Sequence, residues 1–131
     1  MISIPISNGE LIDKLTILKI KKNKINNSEK LMNVETEYNY LYPFMEQINF
    51  SEKHELFIEL YKLNLEFWEY HDWQRNRWEQ NNNDDYIDIE LYKKNRHEHI
   101  MNDKRATLKK KINLITKSII IEEKQFTSYD I

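Results

Sequence analysis

A chain of 131 residues suffices for one domain with a buried core, and the lack of any cysteine excludes disulfides, thiolate nucleophiles and cysteine-type zinc sites. Against 22 acidic side chains stand 20 basic ones, a net charge of -2, so no global field draws in nucleic acid or an anionic membrane. No apolar run nears the roughly 20 residues that span a bilayer, and MISIPISNGE lacks the basic start and apolar stretch of a signal peptide, so a soluble cytoplasmic protein is expected.

One glycine and two prolines leave few chain breakers, and a 3.6-residue apolar period predicts an all-α fold, a four-helix bundle in a single domain over residues 1–131. After an extended start, Ser7 or Asn8 caps a helix from about Gly9 to Asn26 with Leu11, Leu15, Leu18 and Ile25 along its main stripe. A second helix begins after a cap at Ser28 and places Leu31, Val34, Tyr38, Leu41, Met45 and Ile48 in one seam, with Pro43 expected to kink or restart it. The third starts at the cap SEKHE, Ser51 to Glu55, and has two apolar faces: Leu56, Leu60, Leu63, Phe67 and Tyr70, and beside them Phe57, Tyr61 and Trp68. The polar loop Asn81 to Asp85 leads to a fourth helix from about Tyr86 to Lys117, with Ile87, Leu91, Met101, Leu108, Ile112, Ile115 and Ile119 on one stripe. Both chain ends are β-branched, so Ile2 to Ile6 and Ile119 to Ile121 can pair as a short two-stranded ribbon, with Pro5 on its edge.

Function must be sought in polar residues out of place. Lysine outnumbers arginine 16 to 4, so an arginine inside an apolar stripe stands out: Arg105 falls between Met101, Leu108 and Ile112. It is either a buried or snorkelling side chain paired with a carboxylate, for which Glu98, Glu69, Glu10 and Asp13 are candidates, or an anion-binding guanidinium. Asn102, Lys109 and Asn113 line the edge of the same stripe, with small Ala106 among them. Helix one offers Glu10, Asp13, Lys21 and Lys24 away from its leucines, with Lys14 at the border, although acids in a first turn also simply complement the helix dipole. Glu66, Glu69 and Asp72 form an acidic ladder beside Trp68 that reads more simply as solvated charge than as a magnesium site. The four histidines make no zinc set, and no Gly-rich phosphate loop, nucleophile elbow or H-E-x-x-H occurs, so neither metal nor cofactor is expected.

The stretches IPISNGELIDKLTILKIK (4–21), FWEYHDWQR (67–75) and NDKRATLKKKIN with EEKQF near the end resemble a small family of proteins of unknown function from bacteria and some viruses. Its pattern is matched at Pro5, Ser7, Gly9, Glu10, Asp13, Lys14, Lys21, Trp68, Glu69, Asn102, Asp103, Arg105, Lys109, Asn113, Glu122, Glu123 and Lys124, while Phe126 stands where the pattern has tyrosine. The resemblance implies work alongside glycosyltransferases and other glycan-assembly proteins for surface polysaccharides. Two classes of function are therefore expected. One is a non-catalytic binding or accessory protein in glycan assembly; the other is a small all-α enzyme acting on an anionic substrate such as a nucleotide or nucleotide sugar. The enzyme would be a magnesium-dependent nucleotide pyrophosphatase using Glu66, Glu69 and Asp72, or a mutase-like fold binding its substrate by Arg105, Lys109 and Lys21. An anion pocket, catalytic or not, would draw charge from Lys14, Lys21, Arg105 and Lys109, neutral donors from Asn102 and Asn113, and orientation from Glu10, Asp13 and Glu69, with Trp68 among the candidate ligand-binding residues. A self-neutralised network that only sets helix register is the competing account of the same residues.

Overall fold

The computed structural model describes residues 1–125, so Phe126 lies outside the described residues. The chain is an all-α four-helix bundle: α1 (Asn8–Lys24), α2 (Ser28–Gln47), α3 (Glu55–Gln80) and α4 (Ile89–Ile115). Each start is made by a side chain that accepts an amide the first turn leaves unbonded. Ser7 receives Glu10 N, Asn27 receives Lys30 N, His54 receives Leu56 N and Asp88 receives Leu91 N. Pro43 does not break α2; Asn39, the residue whose carbonyl it deprives of a donor, is exposed, where water can serve it.

The helices are not equal partners, because α1 touches each of the other three whereas α2 packs on α1 alone. That central place explains why α1 is buried well beyond its leucine stripe. Ile12, Thr16 and Ile20 are as deeply buried as Leu15, and even Asp13 is only 6% exposed. The main core joins Leu11, Ile12, Leu15 and Leu18 of α1 to Val34, Tyr38 and Met45 of α2, Phe50, Phe57 and Leu60 from the α3 side, and Ile112 of α4. A smaller cluster of Leu63, Phe67 and Met101 sits where α3 and α4 leave the body. Beyond it the two helices run antiparallel as an arm in which no residue from 68 to 100 is buried. Ile87, expected on the stripe of the fourth helix, is 83% exposed before the helix starts.

The expected terminal ribbon is absent: no strand forms among the described residues, and Ile2, Ile4 and Ile119 stand in solvent. The reason lies at the end of α4. Lys117 takes a left-handed conformation (φ 56°), Ser118 N donates to Asn113 O at 2.8 Å and Lys117 N to Leu114 O, which is a Schellman turn made without glycine. The same turn ends α2 at Asn49, where Phe50 N returns to Met45 O. At α4 it reverses the chain, so that residues 118–123 run back beside the helix rather than along the N-terminal segment.

Candidate functional site

The reversed tail and the last turns of α4 enclose a cleft of about 240 Å³. One wall is the α4 face of Asn102, Arg105, Ala106, Lys109, Lys110 and Asn113; the other is Glu122, Glu123 and Lys124 of the tail. The start of α1 docks on the same end of α4. Gly9 N donates to Asn113 Oδ1 at 2.6 Å, Asn8 N to Ser118 Oγ at 3.0 Å and Asn8 Nδ2 to Thr116 Oγ1 at 3.0 Å. This approach needs glycine, because a Cβ at position 9 would run into the Lys109 carbonyl and lie 3.0 Å from Asn113 Oδ1.

Three of the four cations lining the cleft are held by carboxylates. Lys109 Nζ lies 2.5 Å from Glu10 and 3.6 Å from Glu122, Lys110 is 3.0 Å from Glu123, and Lys124 is 3.5 Å from Asp103. Burial alone would raise the Glu10 pKa, but the hydrogen bond and charge of Lys109 outweigh it and hold the carboxyl below its ordinary value. For Lys109 burial works downward and the same partner, with Asp13 and Glu122, pushes the ammonium above its ordinary value. Both groups are thus locked in their charged forms near neutrality.

Arg105 differs from the other three. Among the described residues no carboxylate lies within 4.0 Å of its guanidinium, so the expected ion pair with Glu98, Glu69, Glu10 or Asp13 is not made. Glu98 pairs instead with His71 at 2.9 Å. The guanidinium is held by amide oxygens, Asn102 Oδ1 at 2.8 Å and Asn64 Oδ1 at 3.4 Å, and lies over the Phe67 ring at 4.7 Å. Asn64 is the link to the acid: its Nδ2 donates to Asp13 Oδ1 and to Thr16 Oγ1, both at 2.8 Å, inside the junction of α1 and α3. Arg105 therefore feels Asp13 through one buried amide and keeps its own charge unneutralised at the cleft wall.

Of the residues expected to act together, Glu10, Asp13, Asn102, Arg105, Lys109 and Asn113 converge here, by direct contact or through Asn64. Four do not. Lys14 is exposed and pairs with Glu37 of α2 at 3.1 Å, reaching Glu10 through its charge alone, and among the described residues no hydrogen bond or ion pair ties Lys21, Trp68 or Glu69 to the cluster. Since α1 faces three neighbours, residues on one of its sides serve different partners. The ladder Glu66, Glu69 and Asp72 is exposed, and among the described residues no group of three or more histidines and acids is placed to hold a metal. Nor is any helix among them long and apolar enough to cross a membrane. Asn64 was not anticipated, although an asparagine one turn after Leu60 and one turn before Phe67 lies in an apolar stripe, as Arg105 does. Ser7, expected as the α1 cap, also donates its Oγ to Glu122 at 3.4 Å and so joins α1 to the tail.

No curated protein and no solved structure matches this chain. The matching region of one family model runs from residue 2 to residue 130, and the chain belongs to that family, a family of unknown function (DUF6165).

Proposed function

We propose that the protein is a non-catalytic binding protein whose cleft between α4 and the reversed tail takes a small anionic group. The observation that carries this reading is Arg105. A guanidinium pre-oriented by two amide oxygens and an aromatic ring, with no carboxylate within 4.0 Å among the described residues, is a charge prepared for a partner. Lys109 and Asn113 supply further donors on the same wall. A cleft of about 240 Å³ lies below the usual range of about 300–1,000 Å³ for ligand sites, so a phosphate or carboxylate carried on one sugar ring suits it better than a whole nucleotide sugar.

An enzymatic reading has less support, because proton transfer is most effective from groups that titrate near the working pH. Glu10 is pushed below its ordinary value and Lys109 above, and no histidine lines the cleft. A role as an accessory to glycosyltransferases or other glycan-assembly proteins, in the reducing cytosol, completes the proposal; it rests on the family resemblance and on the absence of cysteine. Isothermal titration with inorganic phosphate, glucose 1-phosphate, glucuronate and neutral glucose, on wild type and Arg105→Met, tests the binding reading. At least one anion should bind saturably to wild type and not to the variant. A folded, monodisperse wild type that binds none of the three anions would remove it.

A further inference from the structure

The end of the α3–α4 arm holds a second, larger cavity of about 760 Å³, far along both helices from the Arg105 cleft. Its walls combine rings with amides: Trp78, Tyr86 and Tyr92 are 52%, 51% and 74% exposed, and Asn81, Asn82 and Asn95 stand among them. These rings are not holding a core together, since nothing between residues 68 and 100 is buried. Exposed aromatic surface in a part without a core is the kind of feature that binding, rather than folding, requires.

Charge narrows the class of ligand. Among the described residues the cavity has one cation, Arg77, and two carboxylates hold its guanidinium: Nε and Nη2 fork onto Asp88 at 2.9 and 2.8 Å, and Nη1 meets Glu90 at 3.0 Å. Asp88 and Glu90 thereby offset the Arg77 charge, which leaves no unpaired cation on the cavity wall among the described residues. With Asp84 on the wall as well, an anion would be repelled. Amides offer a donor pair and an acceptor side by side, which suits vicinal hydroxyls that both give and accept hydrogen bonds. Aromatic faces suit the apolar C–H face of a pyranose ring. The Arg77–Asp88 fork ties the end of α3 to the start of α4, so the space is largely pre-formed, and its volume lies within the usual range for ligand sites.

We infer that this cavity is a binding site for an uncharged oligosaccharide, separate from the anion cleft and independent of it. The test titrates the whole protein with cellotriose, maltotriose, a β-linked galactose trisaccharide and the N-acetylglucosamine trimer, with trigalacturonate and choline as charged controls. Tryptophan fluorescence and the asparagine side-chain amide signals in NMR read the binding. Saturable binding of at least one neutral sugar is expected, weakened at least tenfold in Trp78→Ala and in Asn95→Ala. Circular dichroism checks that each variant is folded, and Asn95→Ala carries the test if Trp78→Ala is not. Failure of every neutral sugar to saturate, equal binding of trigalacturonate or choline, or undiminished binding by a folded variant would each overturn the inference.

Discussion

Replacing Gly9 by alanine probes a close backbone approach, where the first turn of α1 meets the last turns of α4. In the first turn of a helix the exchange should be mildly favourable, since glycine costs up to about 1 kcal/mol relative to alanine in a helix interior and less near an end. Here the new methyl meets the Lys109 carbonyl, a backbone atom that cannot swing aside, and crowds Asn113 Oδ1 at 3.0 Å. Overpacking of this kind costs about 1–3 kcal/mol. Moving Asn113, which is 1% exposed, also strains or breaks its 2.6 Å bond from Gly9 N, and a buried polar group left without a partner costs a further ~1–3 kcal/mol. The net expectation is a loss of about 3 kcal/mol, read as a shift of the urea midpoint followed by circular dichroism, with the slope of the transition unchanged. A Gly9→Ala protein as stable as wild type would show that α1 and α4 do not meet in this way.

Three further outcomes follow from the same network. Arg105→Met strands no carboxylate, so it should cost only about 1–2 kcal/mol, from the ring contact and the amide bonds, rather than the ~3–5 kcal/mol of a broken buried ion pair; chemical denaturation distinguishes the two. Asn64→Leu removes the donor that serves both Asp13 and Thr16 at a buried junction and should cost about 2–4 kcal/mol, more than Arg105→Met; the reverse order would refute the bridging role. The Glu10–Lys109 pair has a pH window. Glu10 is lowered from 4.5, so its contribution is complete above 4.5 and fades as pH falls through the lower folded value; Lys109 is raised from 10.5, so its contribution is complete below 10.5 and fades only as pH rises above that. The stability difference between wild type and Glu10→Gln should therefore be flat from about pH 5 to pH 10 and shrink in acid, as a pH series of urea midpoints would record.

The four helices were legible because their apolar periods are long; of the caps only Ser7 was, since Asn27 caps α2 in place of Ser28, His54 caps α3 near the end of SEKHE, and Asp88 caps a fourth helix that starts later than Tyr86. Arg105 was legible as an anomaly for the same reason: a charge on a stripe is visible wherever the stripe is. Its partner was not, because a sequence shows which residues share a face of one helix but not which neighbour that face meets. Asp13 and Lys14 are adjacent in the chain, yet one is buried against Asn64 of α3 and the other reaches Glu37 of α2. The terminal ribbon failed on a single residue. A Schellman turn usually announces itself by glycine, and here lysine occupies the left-handed position, so the β-branched run after it read as strand. The arm was hidden differently: its period continues that of the buried part of each helix, and only the absence of a third neighbour leaves it bare.

The central position of α1 also bears on how the chain is made. The helix that touches the other three precedes them in the chain, and its partners follow in order: α2 at once, Asn64 51 residues after Asp13, and Asn113 104 residues after Gly9. Contacts of such separation close slowly, because the loop entropy must be overcome before the contact forms. In the interval α1 can shelter only the side that faces α2. The side left waiting carries Asp13 and Thr16 among its isoleucines, and those two polar groups keep it hydrated and less prone to associate with other nascent chains until α3 delivers the amide that binds them both.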